Sequence, residues 1–396
     1  MKTAVDVKAL KTGLKVIGKV PRNSTIPAIE NVVIEATETG TCLSLTDLET
    51  VTKVQLANGL NGETEPGTVL INKSTFTDLL KNVKSGLVTL TETEAGCVVE
   101  AGGISTSLST FPADEYPSAR PIAPKHEIDI DAATLRGIIR ACSPFVSRDE
   151  YRKSMTGIVF EVNPDGTLTG VSTDGHRLRV AGVLSTAMVE QKGHVLKVPQ
   201  STALYELNVP LTQTLDRVLS ITEKYTGPVH ITVGLFRYND ETPVDTVPDA
   251  VEFRIPTATV QGRLIMEPHP DYRVVMPDDN TLTLKVAKQS LLSVTKSLLP
   301  VTDKITHCVK LATSSASVGV EASDDGKTAT GKVSQVDWNG PAKFEIGFNA
   351  AYLIEMLESI DAELVTLEFI SPTRAVNVKV DGRPDIYGLI MPLRLT

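Results

Sequence analysis

The sequence predicts an α+β fold of three similar domains, each with two helices packed on antiparallel sheets. Three observations predict it. An amphipathic helical segment occurs three times along the 396 residues, a pair of hairpin-like strands follows each one, and a further short strand then leads into a second helix. Because these elements recur in the same order, we interpret the chain as an internal repeat with domains at 1–123, 124–280 and 281–396.

The first element of each domain is a helix with its apolar residues on one face. In the first domain Leu10, Leu14 and Ile17 follow the helical spacing of three or four residues. The three helical segments are 5–20, 128–147 and 284–302. Each has a short alternating or apolar lead-in followed by helical spacing, so we expect one helix in each segment.

Hairpins and a second helix complete each domain. β-branched residues flank short turns, of which Thr39-Gly40 and Asn163-Pro164-Asp165-Gly166 are examples. A short strand then meets a helix with an Asn or Gln near the junction, where side-chain caps are favoured. These segments are 68–83, 195–207 and 344–360. The middle domain is the longest, and its excess lies in an enlarged region at 208–262 that contains a predicted surface loop.

Composition excludes several classes of protein. No stretch approaches the ~18 apolar residues of a membrane helix, and the first residues lack the apolar core of a secretion signal. The four cysteines have neither the spacing of a disulfide scaffold nor that of a zinc ribbon, which indicates a reducing cytoplasm. A net charge of −9 and a pI of about 5.3, taken alone, argue against nucleic-acid binding.

The charge is unevenly distributed, and the helices are basic. Four helical segments carry 17 Lys and Arg against five Asp and Glu, although the second helices of the middle and last domains are expected to carry no Lys or Arg. The four segments are 5–22, 72–84, 132–153 and 285–304. One lysine stripe alone is typical of a solvated helix face, but several basic helices in an acidic chain favour a surface that faces a polyanion.

Aromatic residues do not alternate with these cations, which favours contact with the backbone of a duplex over base stacking. The predicted DNA-binding residues are Lys8, Lys11, Lys15, Lys19, Arg22, Lys73, Lys81, Lys84, Arg136, Arg140, Arg148, Arg152, Lys153, Lys288 and Lys296.

Motifs for catalysis, metals and cofactors are absent from the sequence. GxxxxGK[ST], HExxH, GxSxG and a strand-linked GxGxxG do not occur, and the six histidines have no metal-ligand spacing. We therefore expect no cofactor and no metal. The densest polar run is Thr173-Asp174-Gly175-His176-Arg177. Asp174 and His176 could form the acid–base pair of a DNA-processing hydrolase, whereas Asp-Gly between strands is typical of a tight turn.

The same run carries a family resemblance. Gly157-Ile-Val-Phe-Glu161, followed by Thr173-Asp-Gly-His-Arg-Leu178, resembles the bacterial DNA polymerase III beta subunits, the replicative sliding clamps. Further similar runs span the whole chain, and the most specific of them is the terminal Met391-Pro-Leu-Arg-Leu395. The others are Thr25-Ile-Pro27, Leu43-Ser-Leu-Thr-Asp-Leu48, Ser107-Leu-Ser-Thr-Phe-Pro112, Pro270-Asp-Tyr-Arg273, and Phe348-Asn349 with Tyr352.

The resemblance implies a non-enzymatic protein that works by enclosure. Three clamp-type domains would form a crescent, and two chains would close head-to-tail into a six-domain ring around duplex DNA. The ring would tether the replicative polymerase and so confer processivity, because a tethered partner stays at high effective concentration. A separate loader would open the ring in the cytoplasm. A clamp-like accessory or repair-specific DNA-binding protein is the milder alternative.

The resemblance further implies a hydrophobic cleft between the middle and last domains. That cleft would accept short, partly apolar clamp-motif peptides from the polymerase III alpha subunit, clamp-loader subunits and other partners. Its matched residues are Met155, Thr173, Gly175, His176, Arg177, Leu178, Pro270, Val275, Asn349, Tyr352, Ile390, Met391, Pro392, Leu393 and Arg394. The implied homodimer contact joins Thr106 and Leu108 of one chain to Leu298 and Leu299 of the other. Val274 and Thr396 depart from the family pattern.

Overall fold

The computed structural model describes residues 1–21, 25–57, 64–117, 119–162, 168–182, 205–237, 247–383 and 385–395. Arg22, the turn at 163–166, the stretch 195–204 of the predicted middle helix, and Thr396 lie outside these residues. Within them, no helix is both long enough and apolar enough to cross a membrane.

Six α-helices lie in the described residues: α1 (Val7–Val16), α2 (Lys73–Leu80), α3 (Ala132–Cys142), α4 (Asp216–Thr222), α5 (Lys288–Leu298) and α6 (Ala350–Glu358). The caps predicted at two strand-to-helix junctions are confirmed. Asn72 accepts the backbone N–H of Thr75 and Asn349 accepts that of Tyr352, both at 3.1 Å.

The strands are short and pair antiparallel, as predicted. The first ten are β1 (Lys2–Asp6), β2 (Asn31–Thr37), β3 (Gly40–Thr46), β4 (Thr50–Leu56), β5 (Gly67–Asn72), β6 (Leu87–Thr93), β7 (Gly96–Ala101), β8 (Ile104–Leu108), β9 (Thr110–Phe111) and β10 (Ile122–Asp131). The next seven are β11 (Gly157–Val162), β12 (Leu168–Thr173), β13 (Arg177–Ala181), β14 (Tyr205–Pro210), β15 (Pro228–Phe236), β16 (Ala250–Ile255) and β17 (Ala258–Arg263). The last nine are β18 (Leu282–Ala287), β19 (Cys308–Ser314), β20 (Ser317–Asp324), β21 (Lys327–Ser334), β22 (Asp337–Trp338), β23 (Phe344–Asn349), β24 (Leu364–Phe369), β25 (Val376–Lys379) and β26 (Ile386–Ile390).

The chain folds into two compact units that do not coincide with the three repeats. As far as the residues are described, one unit contains 1–133 and 209–264, and the other contains 134–182, 205–208 and 265–395. The first unit has sheets in the order β1-β6-β7-β8 and β10-β15-β16-β17-β4-β3-β2-β5-β9. The second has sheets in the order β14-β11-β12-β13-β26-β25-β24-β18-β22 and β21-β20-β19-β23. The middle repeat therefore contributes strands to both nine-stranded sheets.

Each nine-stranded sheet contains a junction between two repeats. In the first unit β4 pairs with β17, which places Val54 opposite Ala258. In the second unit β13 pairs with β26, which places Arg177 opposite Ile390. The repeats are therefore joined by backbone hydrogen bonds of a continuous sheet as well as by the connecting chain.

The second helix of the middle repeat lies later in the chain than predicted. The last residues of the predicted segment 195–207 lie in strand β14, and a π-helical turn at Leu211–Leu215 then leads into α4. The predicted position was wrong because the segment 195–207 was matched to the strand and second helix of the other two repeats. The buried side of the actual helix includes Val218 and Ile221, and it places Arg217 on a helix that was expected to lack basic residues.

Helix α6 packs closely on the junction strand of the second unit. A Cβ added at Gly388 would lie only 2.4 Å from Met356 Sδ, so glycine is what allows this approach. Leu353, Met356 and Leu357 are fully buried in the core of this unit. The same helix therefore has a fixed position relative to the β13–β26 pair.

Candidate functional site

The Thr173–Arg177 run forms a tight turn between β12 and β13. Thr173 Oγ1 donates to Arg177 O at 2.7 Å, and Asp174 Oδ1 accepts the backbone N–H groups of His176 and Arg177 at 2.9 and 2.8 Å. Gly175 has φ +87°, a left-handed conformation that favours glycine. The second carboxylate oxygen of Asp174 accepts from the Arg177 guanidinium at 2.9 Å. Asp174 thus holds the turn and binds Arg177, an arrangement that favours the tight-turn alternative over an acid–base pair.

The first unit contains the same turn at 46–50, with the same pattern of threonine and aspartate hydrogen bonds as at 173–177. The position of Arg177 is taken there by Thr50, whose hydroxyl lies 3.2 Å from the hydroxyl of Thr214. The two turns have the same pattern of hydrogen bonds. At the last residue of the turn, however, the second unit has the charged side chain of Arg177 where the first unit has Thr50.

Arg177 is the centre of a buried network in the second unit. Its side chain is 5% exposed and forms ion pairs with Asp174 and with Glu355 on α6. Its guanidinium carbon lies 4.1 Å from the ring centroid of Tyr352, within the range of a cation–π interaction. Nη2 also donates to Pro144 O at 3.0 Å. Sequence reasoning missed Glu355 and Pro144, because neither residue is near Arg177 in the chain.

Arg179 continues this network along the same face of β13. Its side chain is 2% exposed, and it donates to Ser359 O, at the end of α6, and to Tyr387 O of β26 at 3.3 and 3.2 Å. Burial lowers the pKa of this guanidinium. A cation at a helix C-terminus is favourable because the last carbonyls carry partial negative charge. Arg177 and Arg179 together fix α6 against the junction strands.

The C-terminal tail crosses this junction. Met391 N donates to His176 O at 2.9 Å, and Leu393 N donates to Gly347 O at 2.8 Å. The His176 ring stacks on Tyr352 with centroids 5.9 Å apart. Met391 is 43% exposed. The two most specific runs of the sequence are therefore adjacent in space, with apolar side chains at the surface beside an aromatic ring.

The remaining cleft residues divide into buried and exposed groups. Leu178 and Ile390 pack in the core at 1% and 0% exposure, whereas Val275 is 57% exposed. The segment Tyr272–Val275 is held by Glu161, a nearly buried carboxylate that accepts from the Tyr272 hydroxyl at 3.0 Å and from Arg273 at 2.7 Å. Sequence analysis did not identify this Glu161 pairing, although it lies in the quoted GIVFE run.

Among the other predicted cleft residues, Met155 and Pro270 lie in separate segments. Met155 ends the 3₁₀ helix Glu150–Met155, and its carbonyl accepts the backbone N–H of Ser147 at 2.8 Å. Pro270 O accepts from the ring of His269 at 2.9 Å. Pro392 and Arg394 lie in the tail segment that contains Leu393.

The predicted basic residues differ in what their charged groups contact and in how exposed they are. Lys11 donates to Lys81 O and Val83 O after α2, and Lys288 donates to Ile360 O after α6, so both ammonium groups satisfy helix-end carbonyls. Lys296 pairs with Glu358 and Arg152 with Asp149. Lys73 and Arg136 are partly buried. Arg152 and Lys296 are exposed despite these ion pairs, and the other exposed members are Lys8, Lys15, Lys19, Lys81, Lys84, Arg140, Arg148 and Lys153.

The residues predicted for a dimer contact lie on strand β8 and at the end of helix α5. β8 is the outer strand of its four-stranded sheet; Thr106 and Leu108 are half-buried and Ile104 is 48% exposed. Leu298 is buried at 6% exposure, whereas Leu299 is half-buried. No group of three or more potential metal ligands occurs in the described part of the chain.

Comparisons with known proteins cover the whole chain. The family models of the DNA polymerase III beta subunit match in order: the N-terminal domain at residues 1–120, the central domain at 129–271 and the C-terminal domain at 273–394. The beta sliding clamps of Pseudomonas aeruginosa and Pseudomonas putida are 26% and 25% identical to this chain over 399 residues, covering 100% of each chain. That of Escherichia coli K12 is 23% identical over 387 residues, covering 98% of this chain and 97% of the relative.

Solved structures show the same fold. The Pseudomonas aeruginosa sliding clamp bound to griselimycin is 24% identical with a TM-score of 0.88, and the beta subunit of Thermotoga maritima is 19% identical with a TM-score of 0.83. Each comparison covers 100% of both chains.

Proposed function

Because this chain belongs to the DNA polymerase III beta subunit family, we propose that it is a DNA sliding clamp that confers processivity on the replicative polymerase. The observation that carries this function is the ordered match of all three family domains along one chain. The role is non-enzymatic: the protein encircles duplex DNA and holds partners beside it. Exposed lysines and arginines on α1 and α3, and just after α2, support weak, sequence-independent contact with phosphates. This function corresponds to a cytoplasmic, DNA-associated location.

The proposed assembly is a head-to-tail homodimer of chains with three domains, 1–123, 124–280 and 281–396. The outer strand β8 supports this arrangement, because its free edge and exposed Ile104 are suited to pairing with a second chain. The proposed contact on the other chain lies at Leu299 and the neighbouring outer strand β21. Helix α5 packs closely against this strand, because a Cβ added at Gly331 of β21 would lie only 2.5 Å from the Val294 side chain of α5. Leu298 would support this surface from within the core.

Retention on DNA tests the topological function. The protein is loaded with its clamp loader onto nicked circular DNA, which is then linearised. We expect it to remain on the circle at moderate salt and to slide off the linear ends, because enclosure does not depend on tight contacts. Light scattering should give twice the chain mass of 42.6 kDa. Equal loss from both DNA forms would contradict the proposed function.

The proposed partner site is the surface around Tyr352, His176 and the C-terminal tail. We assign to it the clamp-motif peptides of the polymerase alpha subunit, the clamp loader and other partners. Exposed Met391 and Val275 offer apolar contacts, while the buried Arg177 network keeps the aromatic ring in place. Such a combination of apolar surface and few polar groups is typical of a peptide site.

Deleting residues 391–396 tests this assignment. The deletion removes the exposed Met391 and the Leu393–Gly347 backbone bond but leaves β26 intact. We expect fluorescence anisotropy of a clamp-motif peptide to show at least about a tenfold loss of affinity, since a central apolar contact is typically worth more than about 1.4 kcal/mol. The dimer mass should be unchanged. Peptide affinity equal to that of the full chain would refute the site.

A further inference from the structure

A buried carboxylate on β11 binds two consecutive residues of the segment Tyr272–Val275 in the second unit. Glu161 is 3% exposed. Its Oε2 accepts from the Tyr272 hydroxyl at 3.0 Å, and its Oε1 accepts from Arg273 Nη2 at 2.7 Å. Hydrogen bonds to an ionised acceptor are stronger than those between neutral groups. One carboxylate therefore fixes the segment at two adjacent side chains.

The two anchored side chains lie in different surroundings. Tyr272 packs in a small buried cluster that includes Leu178 and Leu389. Arg273 is 48% exposed, but its guanidinium lies 4.7 Å from the Tyr272 ring centroid and 3.9 Å from a carboxylate oxygen of Asp271. The segment is thus held from the core on one side and from the surface on the other.

Two further titratable groups face this anchor. Glu206, on β14, carries a second negative charge that interacts with Tyr272 and Arg273. Burial lowers the pKa of His269, which also interacts with Glu161. The His269 ring is therefore neutral near pH 7, so it brings no cation that competes with Arg273 for Glu161.

The residues after the anchor are apolar and exposed. Val274 is 80% exposed and Val275, a predicted cleft residue, is 57% exposed. The segment is a single 3₁₀ turn, and Asp271 Oδ1 accepts the backbone N–H of Arg273 at its start at 3.1 Å. Because such a short turn has weak internal hydrogen bonds, the direction of Val275 depends on the two anchored side chains that precede it.

We propose that Glu161 is a positioning residue of the partner-peptide site, which acts through Tyr272 and Arg273 to hold Val275 in the orientation that a bound peptide contacts. The inference rests on the proposed partner site and adds to it a residue that does not touch the peptide. Because Glu161 is buried, its effect on binding passes through the Tyr272–Val275 segment. A surface that is already ordered before binding loses less conformational entropy when the peptide binds.

Glu161→Gln tests the proposal in the full-length protein. The substitution keeps the shape of the side chain and removes its charge, and Arg273 can then turn to solvent, so we expect the fold to be retained. Anisotropy of a fluorescent clamp-motif peptide should show about fivefold weaker binding. In a Val275→Ala background the same substitution should weaken binding by less than about twofold, because the contact that Glu161 positions is already absent.

Glu321→Gln is the control, since it removes a carboxylate that pairs with Lys310 on the four-stranded sheet of the same unit. Its peptide affinity should equal that of the unsubstituted protein. The proposal is overturned if Glu161→Gln binds the peptide with unchanged affinity. It is equally overturned if the loss is as large in the Val275→Ala background, which is the result expected of a general structural role.

Tyr272→Phe provides the second variant if Glu161→Gln does not fold. It removes one of the two hydrogen bonds to Glu161 and keeps the ring in its buried cluster. The same comparison with and without Val275→Ala then decides the proposal, with a smaller loss expected. Failure of the proposed partner site is distinguishable, because the unsubstituted protein itself would then not bind the peptide.

Discussion

Arg177→Ala is expected to weaken clamp-motif peptide binding by at least about tenfold and to lower the free energy of unfolding by about 2–3 kcal/mol. The guanidinium is 5% exposed and contacts Asp174, Glu355 and the Tyr352 ring. Its removal leaves two carboxylates without their cation. We expect this loss of unfolding free energy to be smaller than the loss for a fully buried ion pair, because Glu355 is 41% exposed and water can reach it.

The affinity loss should follow from disorder of the Tyr352 side chain rather than from loss of the fold. Peptide binding is measured by anisotropy and stability by urea unfolding. Arg383→Ala is the control, because Arg383 is 51% exposed and pairs with Asp385 at the surface. It should change the unfolding free energy by less than about 1 kcal/mol. Unchanged peptide affinity in Arg177→Ala would contradict the role assigned to the network.

Arg179→Ala is expected to lower the free energy of unfolding by about 3 kcal/mol or more. The substitution opens a cavity beneath α6 and leaves the Ser359 and Tyr387 carbonyls without their donors. It also removes the cation at the C-terminus of α6. Urea unfolding measures the loss, and peptide affinity should fall as a secondary effect because α6 carries Tyr352.

Arg374→Ala provides the comparison for Arg179→Ala, since Arg374 is exposed in a turn of the same unit. A surface substitution of this kind should change stability by less than about 0.5 kcal/mol. If Arg179→Ala and Arg374→Ala destabilise the protein equally, the two hydrogen bonds of Arg179 do not hold α6 in place.

The fold was predictable where its signals are local. Helix periodicity and the Asn72 and Asn349 caps identified α1, α2 and α6 from the sequence. The second helix of the middle repeat was misplaced, because its strand-to-helix junction contains Pro210 in place of an Asn and begins with a π-helical turn. Arg217 was missed for the same reason: no local pattern assigned it to a helix.

The geometry of the candidate site could not be read from the sequence. The TDGHRL and MPLRL runs were predicted to line one cleft, yet their adjacency depends on β13 pairing with β26, which joins residues far apart in the chain. Asp174 and His176 looked alike as titratable neighbours. Their different roles arise because Arg177 folds back onto Asp174 while His176 stacks on Tyr352. These two roles depend on tertiary contacts, which the spacing of residues along the sequence does not reveal.

The two sheet junctions have a consequence for how the chain is made. β4 ends at Leu56, but its neighbour β17 begins at Ala258; β13 ends at Ala181, but β26 begins at Ile386. During synthesis, which proceeds from the N-terminus, each earlier strand therefore emerges from the ribosome long before its partner exists. An open strand edge can pair with other nascent chains. The second sheet cannot be completed until Ile386–Ile390 has been synthesised, so the slow folding step of this sheet should follow the synthesis of β26.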